Sequence, residues 1–234
     1  MMKHKVLMMI QQELTGWKPW EVVWLVTACS TILVLSLLWQ DTPMGILSAL
    51  TGIACVICTG KGKLSAYLFG LVNSVLYAIL SYEATLYGET MLNALYYVPM
   101  QFAGFYTWSR YMDQNTREVV KRNMTWTGKW LTLGLILFGT LGYGILLQKL
   151  GDAMPFLDAF TTVTSVGAMV LSVRRFAEQW WIWVVVNVFS VYMWWCSFQV
   201  GQDNMATLLM WVVYLINSVM MLVKWEREAR RCLT

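Results

Sequence analysis

The chain has 234 residues, of which 58% are hydrophobic and 13% are charged, and its formal net charge is +4. A soluble domain is typically about 45–50% apolar and about 25% charged. One soluble domain of this length could not bury so much apolar surface. The composition therefore excludes a soluble enzyme, a disordered chain and a basic nucleic-acid-binding domain, and it predicts a polytopic membrane protein.

Apolar runs of membrane length recur along the chain. A spanning helix needs about 20 mostly apolar residues. The runs are continuous rather than alternating, which favours helices over a β-barrel. The predicted fold class is an all-α integral membrane protein with about eight transmembrane helices. The predicted spans are 20–39, 43–60, 64–82, 90–109, 130–148, 155–173, 179–200 and 204–223.

The distribution of lysine and arginine predicts an orientation. If the N-terminus is cytoplasmic and eight helices alternate, every Lys and Arg except Lys149 falls on the cytoplasmic side. Such a bias is what the positive-inside rule describes. Both termini are therefore expected in the cytoplasm, and the positive charge gives no reason to expect a nucleic-acid partner.

Residues of matching type recur at an offset of 114 to 117 positions, which corresponds to four spans. The matching pairs are Lys61 and Arg175, Asn73 and Asn187, Tyr97 and Tyr214, Trp108 and Trp225, and Asp41 and Asp158. Because an even number of crossings preserves direction, the pattern predicts two parallel three-helix repeats. Parallel repeats are a transporter architecture that holds substrate near the midplane.

The predicted organisation is a 3+1+3 plan, in which a linker helix joins the repeats and one further helix precedes them. That first helix either lies outside the repeats or is the diverged counterpart of the linker helix. The predicted units are an N-terminus with the first helix (1–42), the first repeat (43–109), a basic loop with the linker helix (110–150), the second repeat (151–226) and a basic cytoplasmic tail (227–234).

Uncharged polar and aromatic residues cluster at matching depths of the predicted spans. Lipid offers amides no partner, so these side chains are expected to face the bundle interior, where they line a pathway or bond to a neighbouring helix. The candidate substrate-binding residues are Asn73, Tyr77, Tyr97, Gln101, Trp180, Trp183, Asn187, Tyr214 and Asn217.

The residue types in this cluster indicate what it would bind. Aromatic faces without a buried counter-charge suit a flat ring, either neutral or carrying delocalised positive charge. Amides offer donors and acceptors for a carboxamide or sugar hydroxyls. Asp158, near the predicted outer mouth, either attracts a cation or bonds to a helix end.

Other chemistries lack the residues that they need. The lone histidine, His4, lies in the N-terminal tail, and no carboxylate or lysine lies deep in a predicted span, so a proton relay is not expected. Cys55 and Cys58 have a metal-like spacing but lie in an apolar span, where packing is the favoured interpretation. No cofactor, no metal and no enzymatic activity are predicted.

The polar cluster resembles the signature of a known family, the PnuC nicotinamide riboside transporters, over roughly residues 43–226. The second half matches in Trp180-x-x-Trp183-x-x-x-Asn187, Tyr192, Gly201, Tyr214, Asn217 and Trp225. The first half matches in Tyr67, Gly70, Asn73, Tyr77, Tyr87-Gly88-Glu89, Asn93, Pro99, Gln101 and Trp108.

This resemblance implies a SWEET-like fold in the bacterial inner membrane. It also implies uptake of nicotinamide riboside, an NAD precursor and form of vitamin B3, by facilitated diffusion with alternating access. A cytosolic kinase would trap the riboside by phosphorylation. Trp183 would hold the ring, while Asn73, Gln101, Asn187 and Asn217 would hold the carboxamide and ribose, and Trp180, Tyr97 and Tyr214 would shape or close the cavity.

Three alternatives remain open from the sequence. One is a SWEET-like carrier of another vitamin, nucleoside or sugar. The second is a non-transporting membrane scaffold, in which the polar cluster only joins helices. The third, an integral-membrane enzyme, is disfavoured because no catalytic set converges at one depth. Glycines in the fifth span, including Gly139 and Gly142, allow close packing in a homo-oligomer within the lipid bilayer.

Overall fold

The computed structural model describes residues 13–83, 90–151, 155–199 and 205–231. Eight α-helices are found in these ranges, and a π-helix directly precedes the fourth of them. They are α1 (Pro19–Leu38), α2 (Pro43–Lys61), α3 (Ser65–Glu83), the π-helix Leu92–Tyr97 that continues into α4 (Val98–Ser109), α5 (Trp126–Lys149), α6 (Pro155–Val173), α7 (Gln179–Gln199) and α8 (Met205–Arg231).

The prediction of an all-helical membrane protein is confirmed. Six of the helices, α1, α2, α3, α5, α6 and α8, are long and apolar enough to cross a membrane. Within the described ranges, β-structure is limited to two isolated bridges, Met112 with Val119 and Arg122 with Phe176. Tyr87, Gly88, Glu89, Gly201 and His4 lie outside the described residues.

Helix starts and stops follow local sequence signals. Pro19 and Pro43 begin α1 and α2, where the missing N–H costs nothing. Thr42 caps α2 by accepting a hydrogen bond from the Gly45 N–H at 3.1 Å. Gly62 ends α2 with a left-handed φ of 84°.

Two helix boundaries differ from the sequence prediction. Helix α5 begins at Trp126 rather than at 130, because Thr125 caps it by accepting from the Gly128 N–H. Helix α8 continues to Arg231, well beyond 223, and Ala229 is buried. Most of the expected basic tail, 227–234, is therefore the last turn of a packed helix.

The helical segment that contains α4 begins with a widened turn. The π-helix Leu92–Tyr97 ends where the Val98 N–H bonds to the Asn93 carbonyl five residues back. Pro99 follows, and its ring would crowd the carbonyl of an ordinary α-turn. The wider π-turn accommodates this proline inside a continuous helix.

Each helix packs against its neighbour in the chain within two groups, α2–α3–α4 and α6–α7–α8. The two groups meet where α2 contacts α8 and where α4 contacts α6. Helix α1 packs on α2 and α8, and α5 packs on α6. Most of the α5 surface remains exposed, including Phe138 and Leu135.

We call the end of the bundle where α2, α4, α6 and α8 finish, and where α1, α3, α5 and α7 begin, the basic end. One core cluster lies there, around Tyr67, Trp108, Trp180 and Trp225. A second core cluster, which includes Ile32, Ile53 and Met210, joins α1 to α2 and α8.

Candidate functional site

Two predicted site residues from the two helix groups converge on Gly52 of α2. A Cβ at Gly52 would collide with the Tyr214 hydroxyl of α8, and it would lie 2.9 Å from Asn73 Nδ2 of α3. Both side chains therefore occupy the space that this glycine leaves open. The structure brings one phenol and one amide together between α2, α3 and α8.

Gln101 occupies an equivalent gap over Gly70 of α3. A Cβ at Gly70 would lie 2.5 Å from Gln101 Oε1 and 3.0 Å from Cys55 Sγ. Gln101 is buried, and Cys55 is a free thiol that is half-buried. The amide of α4 thus reaches across α3 towards α2.

Each of the three predicted asparagines bonds to at least one other helix. Asn73 Nδ2 donates to the Ser48 carbonyl of α2 at 2.8 Å. Asn187 Nδ2 donates to Ser218 Oγ of α8 at 3.1 Å. Such bonds satisfy amides that lipid would leave unpaired.

Asn217 is the most completely bonded of the three. It is fully buried, its Nδ2 donates to the Val56 carbonyl at 3.1 Å, and its Oδ1 accepts from Trp24 Nε1 at 3.3 Å. Its amide therefore links α8 to α2 and α1. This position lies in a helix seam, one turn from Tyr214.

The remaining aromatic candidates are half-buried. Trp183 and Tyr97 pack against the core cluster at the basic end, and Tyr97 lies beside Tyr96 with ring centroids 5.4 Å apart. Tyr77 and Asp158 are half-buried and have interaction partners. Asp158 lies in the first turn of α6, at the opposite end from the basic end.

Trp180 lies apart from the amides, in what we call the aromatic cluster: Tyr67, Trp108, Trp180 and Trp225. Tyr67 and Trp108 meet edge to face at 5.0 Å, and Trp180 meets Trp225 in the same way at 5.8 Å. Trp108 and Trp225 join the two pairs at 6.0 Å. All four side chains are buried, so the cluster fills the bundle at its basic end.

The two central tryptophans tie the helix groups together. Trp108 Nε1 of α4 donates to the Ser172 carbonyl of α6 at 3.0 Å. Trp225 Nε1 of α8 donates to the Gly60 carbonyl of α2 at 2.7 Å. Each group therefore donates one indole hydrogen bond to the other at the same end of the bundle.

A network of ion pairs lies next to the aromatic cluster. Lys61 Nζ is 2.6 Å from Glu21 Oε2 and 2.7 Å from Glu118 Oε1. Lys121 pairs with Glu118 at 2.6 Å, and the network continues through Lys121 to Glu228 and through Glu21 to Lys224. We call these six residues, three acids and three lysines, the ion network.

Burial and charge oppose each other at Glu118. Burial raises the pKa of its carboxyl group, but Lys121, Lys224 and Lys61 outweigh burial, so the pKa lies below its ordinary value of 4.5. Burial lowers the pKa of Lys63, which is fully enclosed and donates to the carbonyls of Thr15 and Arg117. These charged groups are held by several bonds each.

The buried charged side chains of the described residues all lie at the basic end. They are Glu21, Lys61, Lys63, Lys121 and Arg175. The middle of the described bundle instead presents amides, hydroxyls and aromatic rings. This polarity suits a ligand that is uncharged or carries a delocalised charge.

Sequence reasoning missed the ion network and Tyr67's place in the aromatic cluster. Two signals pointed to them. Glu118 stands three residues before Lys121 in the basic loop, and Tyr67 relates to Trp180 by nearly the same offset as Asn73 to Asn187. Sequence reasoning also did not identify Ser48 and Ser218, whose hydroxyl groups accept hydrogen bonds from Asn73 and Asn187.

Comparison with known proteins identifies relatives that match most of the chain. A family model described as a nicotinamide mononucleotide transporter matches residues 42–227. The nicotinamide riboside transporter PnuC of Neisseria mucosa is 40% identical over 221 residues, which cover 92% of this chain and 84% of that protein. The protein of the same name from Haemophilus influenzae is 31% identical over 229 residues, covering 94% and 96%.

The fold has a solved counterpart. A crystal structure of the vitamin B3 transporter PnuC superposes with a TM-score of 0.84 at 39% identity, covering 94% of this chain and 97% of that one. The family consists of membrane transporters rather than enzymes, as the sequence predicted. From the helical membrane fold, the match to the family model and these relatives, we conclude that the chain belongs to the PnuC family of nicotinamide riboside transporters.

Proposed function

We propose that this protein takes up nicotinamide riboside by facilitated diffusion with alternating access, and that a cytosolic riboside kinase traps the product by phosphorylation. The observation that carries the proposal is the meeting of Asn73 and Tyr214, one from each helix group, at Gly52. A ligand held between two groups that move relative to each other is what alternating access requires.

The riboside would bind between aromatic and amide side chains. We assign its pyridinium ring to Trp183, and its carboxamide and ribose to Asn73, Gln101 and Asn187. Tyr77, Tyr97 and Tyr214 would shape the cavity, while Trp180 would help to close it at the basic end. Asn217 would have to exchange its bonds to Trp24 and Val56 before it could bind the ligand.

Packing supports two parallel three-helix repeats, α2–α4 and α6–α8, joined by α5 in a SWEET-like 3+1+3 plan. If the two groups are equivalent repeats, α2 corresponds to α6 and α8 corresponds to α4. The contact of α2 with α8 then has an equivalent in the contact of α6 with α4, and both contacts are present. Helix α1 packs on α2 as α5 packs on α6. The pairing supports the interpretation that α1 is the diverged counterpart of α5.

The orientation follows from the basic end. We propose that this end faces the cytoplasm of a bacterium, with both termini there and the protein in the inner membrane, because lysine and arginine concentrate on that side. Asp158 would then lie near the outer mouth. A homo-oligomer is proposed through the exposed face of α5, where Gly134 and Gly142 have no atom near their missing side chains.

A passive mechanism fits the distribution of charge. A proton-coupled carrier needs titratable groups along its pathway, whereas the buried charges of the described residues are concentrated at the basic end. The proposed alternatives are a SWEET-like carrier of another vitamin, nucleoside or sugar, and a scaffold in which the asparagines serve only to join helices.

Ligand binding tests the substrate. Tryptophan quenching of the purified protein is expected with nicotinamide riboside, and not with its mononucleotide, thiamine or glucose. Trp183→Phe should weaken binding about tenfold, while Trp130→Phe, a lipid-facing control that is 66% exposed, should leave it unchanged. If nicotinamide riboside does not quench the tryptophan fluorescence, the proposed substrate is wrong.

Flux tests the mechanism. Proteoliposomes without an imposed ion gradient are expected to equilibrate the riboside across the membrane. Asn187→Ala should fold and lose most of this flux, because its amide would no longer reach the ligand. Normal flux through this variant would support the scaffold-like role of the asparagine instead.

A further inference from the structure

The loop between α4 and α5 lies across the basic end and contacts both helix groups. We call residues 110–125 the strap. Its Val119 N–H donates to the Gly62 carbonyl, in the turn between α2 and α3, at 2.9 Å. Its Arg122 N–H donates to the Arg175 carbonyl at 3.1 Å, in the turn between α6 and α7. The strap therefore connects two turns that belong to different groups.

Further bonds reinforce each side of this connection. The Ala177 N–H donates back to the Arg122 carbonyl at 2.9 Å, and Arg175 Nη1 donates to the Val120 carbonyl at 2.9 Å. On the other side, Lys63 Nζ donates to the Arg117 carbonyl at 3.0 Å. A loop with this many specific contacts is an ordered part of the fold.

The strap also covers the aromatic cluster. Val119 is only 1% exposed and belongs to the same core as Trp108 and Trp225. Lys121 Nζ lies 5.6 Å from the centroid of the Trp225 ring. Separation of the helix groups at this end would uncover both Val119 and the tryptophans.

Glu118 is the charged centre of the strap. Its Oε1 accepts from Lys61 of α2, and its Oε2 accepts from Lys121, which also pairs with Glu228 of α8. Glu118 therefore bonds the strap directly to α2, and its partner Lys121 connects the strap to α8. Charge-assisted bonds of this length are the strong class of hydrogen bond.

We propose that the strap is the latch of the basic end and that Glu118 sets the rate at which this end opens. The inference rests on the proposed alternating-access function. For a ligand to leave at the basic end, the α2–α3 turn must separate from the α6–α7 turn. The strap is bonded to both turns, so at least one set of its bonds breaks in each cycle, and the element has two discrete arrangements.

The test compares two isosteric substitutions on the strap. Glu118→Gln removes the charge that joins Lys61 to Lys121. Asp113→Asn is the matched control, because the Asp113 carboxylate bonds to Asn115 and Thr116 within the strap itself. Amide hydrogen exchange at Val119 and Arg122 reports opening of the strap, and riboside flux in proteoliposomes reports turnover.

We expect Glu118→Gln to speed exchange at both amides about tenfold, the effect of losing one charge-assisted bond. Riboside turnover should rise about threefold or more, while Asp113→Asn stays close to the unmodified protein in both measurements. The latch is wrong if Glu118→Gln leaves amide hydrogen exchange unchanged. It is also wrong if exchange becomes faster while riboside turnover stays the same or falls. Should Glu118→Gln fail to fold, Glu118→Asp keeps the charge on a shorter stem and should give a smaller change in the same direction.

A separate measurement distinguishes failure of the latch from failure of the proposed function. Binding of nicotinamide riboside to the unmodified protein is measured by tryptophan quenching before the variants are compared. If the riboside neither binds nor crosses the membrane, the proposed function is wrong. If it binds and crosses normally but the variant behaves as the control does, only the latch is wrong.

Discussion

The basic end and the middle of the bundle are held together by different chemistry. At the basic end, six charged residues form one network, and single groups such as Lys61 have several partners. In the middle, neutral amides such as Asn187 make one or two bonds to a neighbouring helix. Ion pairs hold the basic end together, whereas hydrogen bonds between neutral groups hold the middle of the bundle together.

The two kinds of contact differ in the free energy that is lost when they break. A buried ion pair that loses one partner leaves an uncompensated charge, which is strongly destabilising. An amide in a membrane protein gains only about 0.6 kcal/mol on average from its interhelical bond. Rearranging hydrogen bonds in the middle of the bundle should therefore cost less free energy than rearranging the ion pairs of the basic end.

The largest effect is expected from Lys61→Met. It leaves the carboxylates of Glu21 and Glu118 without a shared partner, so we expect a loss of about 3 kcal/mol. In a chain of this size the melting temperature should fall by roughly 6–12 °C, as measured by tryptophan fluorescence. Lys149→Met, the same exchange at an exposed position, should melt normally. Equal melting of the two variants would contradict the importance of the ion network.

Gly104→Ala should break the aromatic cluster without touching a charge. The added methyl group would collide with the ring of Tyr67, and overpacking of this kind costs about 1–3 kcal/mol. In Gly167→Ala of α6 the new methyl group would meet Ile136 at 3.6 Å, an ordinary van der Waals distance, and a helix gains stability from the exchange. Thermal unfolding of both variants checks the contrast, which would be lost if Gly104→Ala were as stable as Gly167→Ala.

Asn217→Leu should show how little the middle depends on one amide. The variant loses the bonds to Trp24 and Val56 and keeps the number and branching of the side-chain heavy atoms, so we expect a loss of about 1 kcal/mol. Asn115→Leu is the matched exchange at an exposed position and should be nearly neutral. If Asn217→Leu proved as destabilising as Lys61→Met, the contrast between the regions would fail.

The smallest effect concerns the pH dependence of Glu118. Because its pKa in the folded protein lies below 4.5, its carboxylate contributes stability above pH 4.5, and that contribution is lost as the pH falls through the lowered pKa. The melting temperatures of the unmodified protein and Glu118→Gln should therefore converge between about pH 6 and about pH 3. A constant gap over this range would show that the charge of Glu118 is not responsible.

The sequence predicted the helices because each is a continuous apolar run of membrane length. Its errors lie where polar residues are packed against distant elements. Helix α8 extends past 223 because Lys224 and Glu228 pair with Glu21 and Lys121, partners far away in the chain. Only the fold brings these residues together, so local composition made the segment resemble a tail.

The candidate site divides in the same way. Spacing predicted that Asn73, Gln101 and Tyr214 face the bundle interior, and the structure brings them against Gly52 and Gly70. Helical periodicity placed Trp180 on one face with Trp183 and Asn187, but it did not reveal that Trp180 contacts Trp225. The sequence of the loop between α4 and α5 shows only that it is basic. Its contacts could not be predicted from that sequence, because they are made with turns from both helix groups.

The π-helix before Pro99 makes the two helix groups unlike each other. Of the four prolines, three begin helices, and Pro99 is the one that follows a π-helix within a continuous helical segment. Helix α8, which occupies the corresponding place in the second group, is α-helical throughout and contains no proline. The third helix of the first group therefore has a wide turn that the third helix of the second group lacks. Because a π-turn interrupts the regular α-helical ladder, the two groups are mechanically unequal, and bending of the bundle is expected to concentrate in the first group.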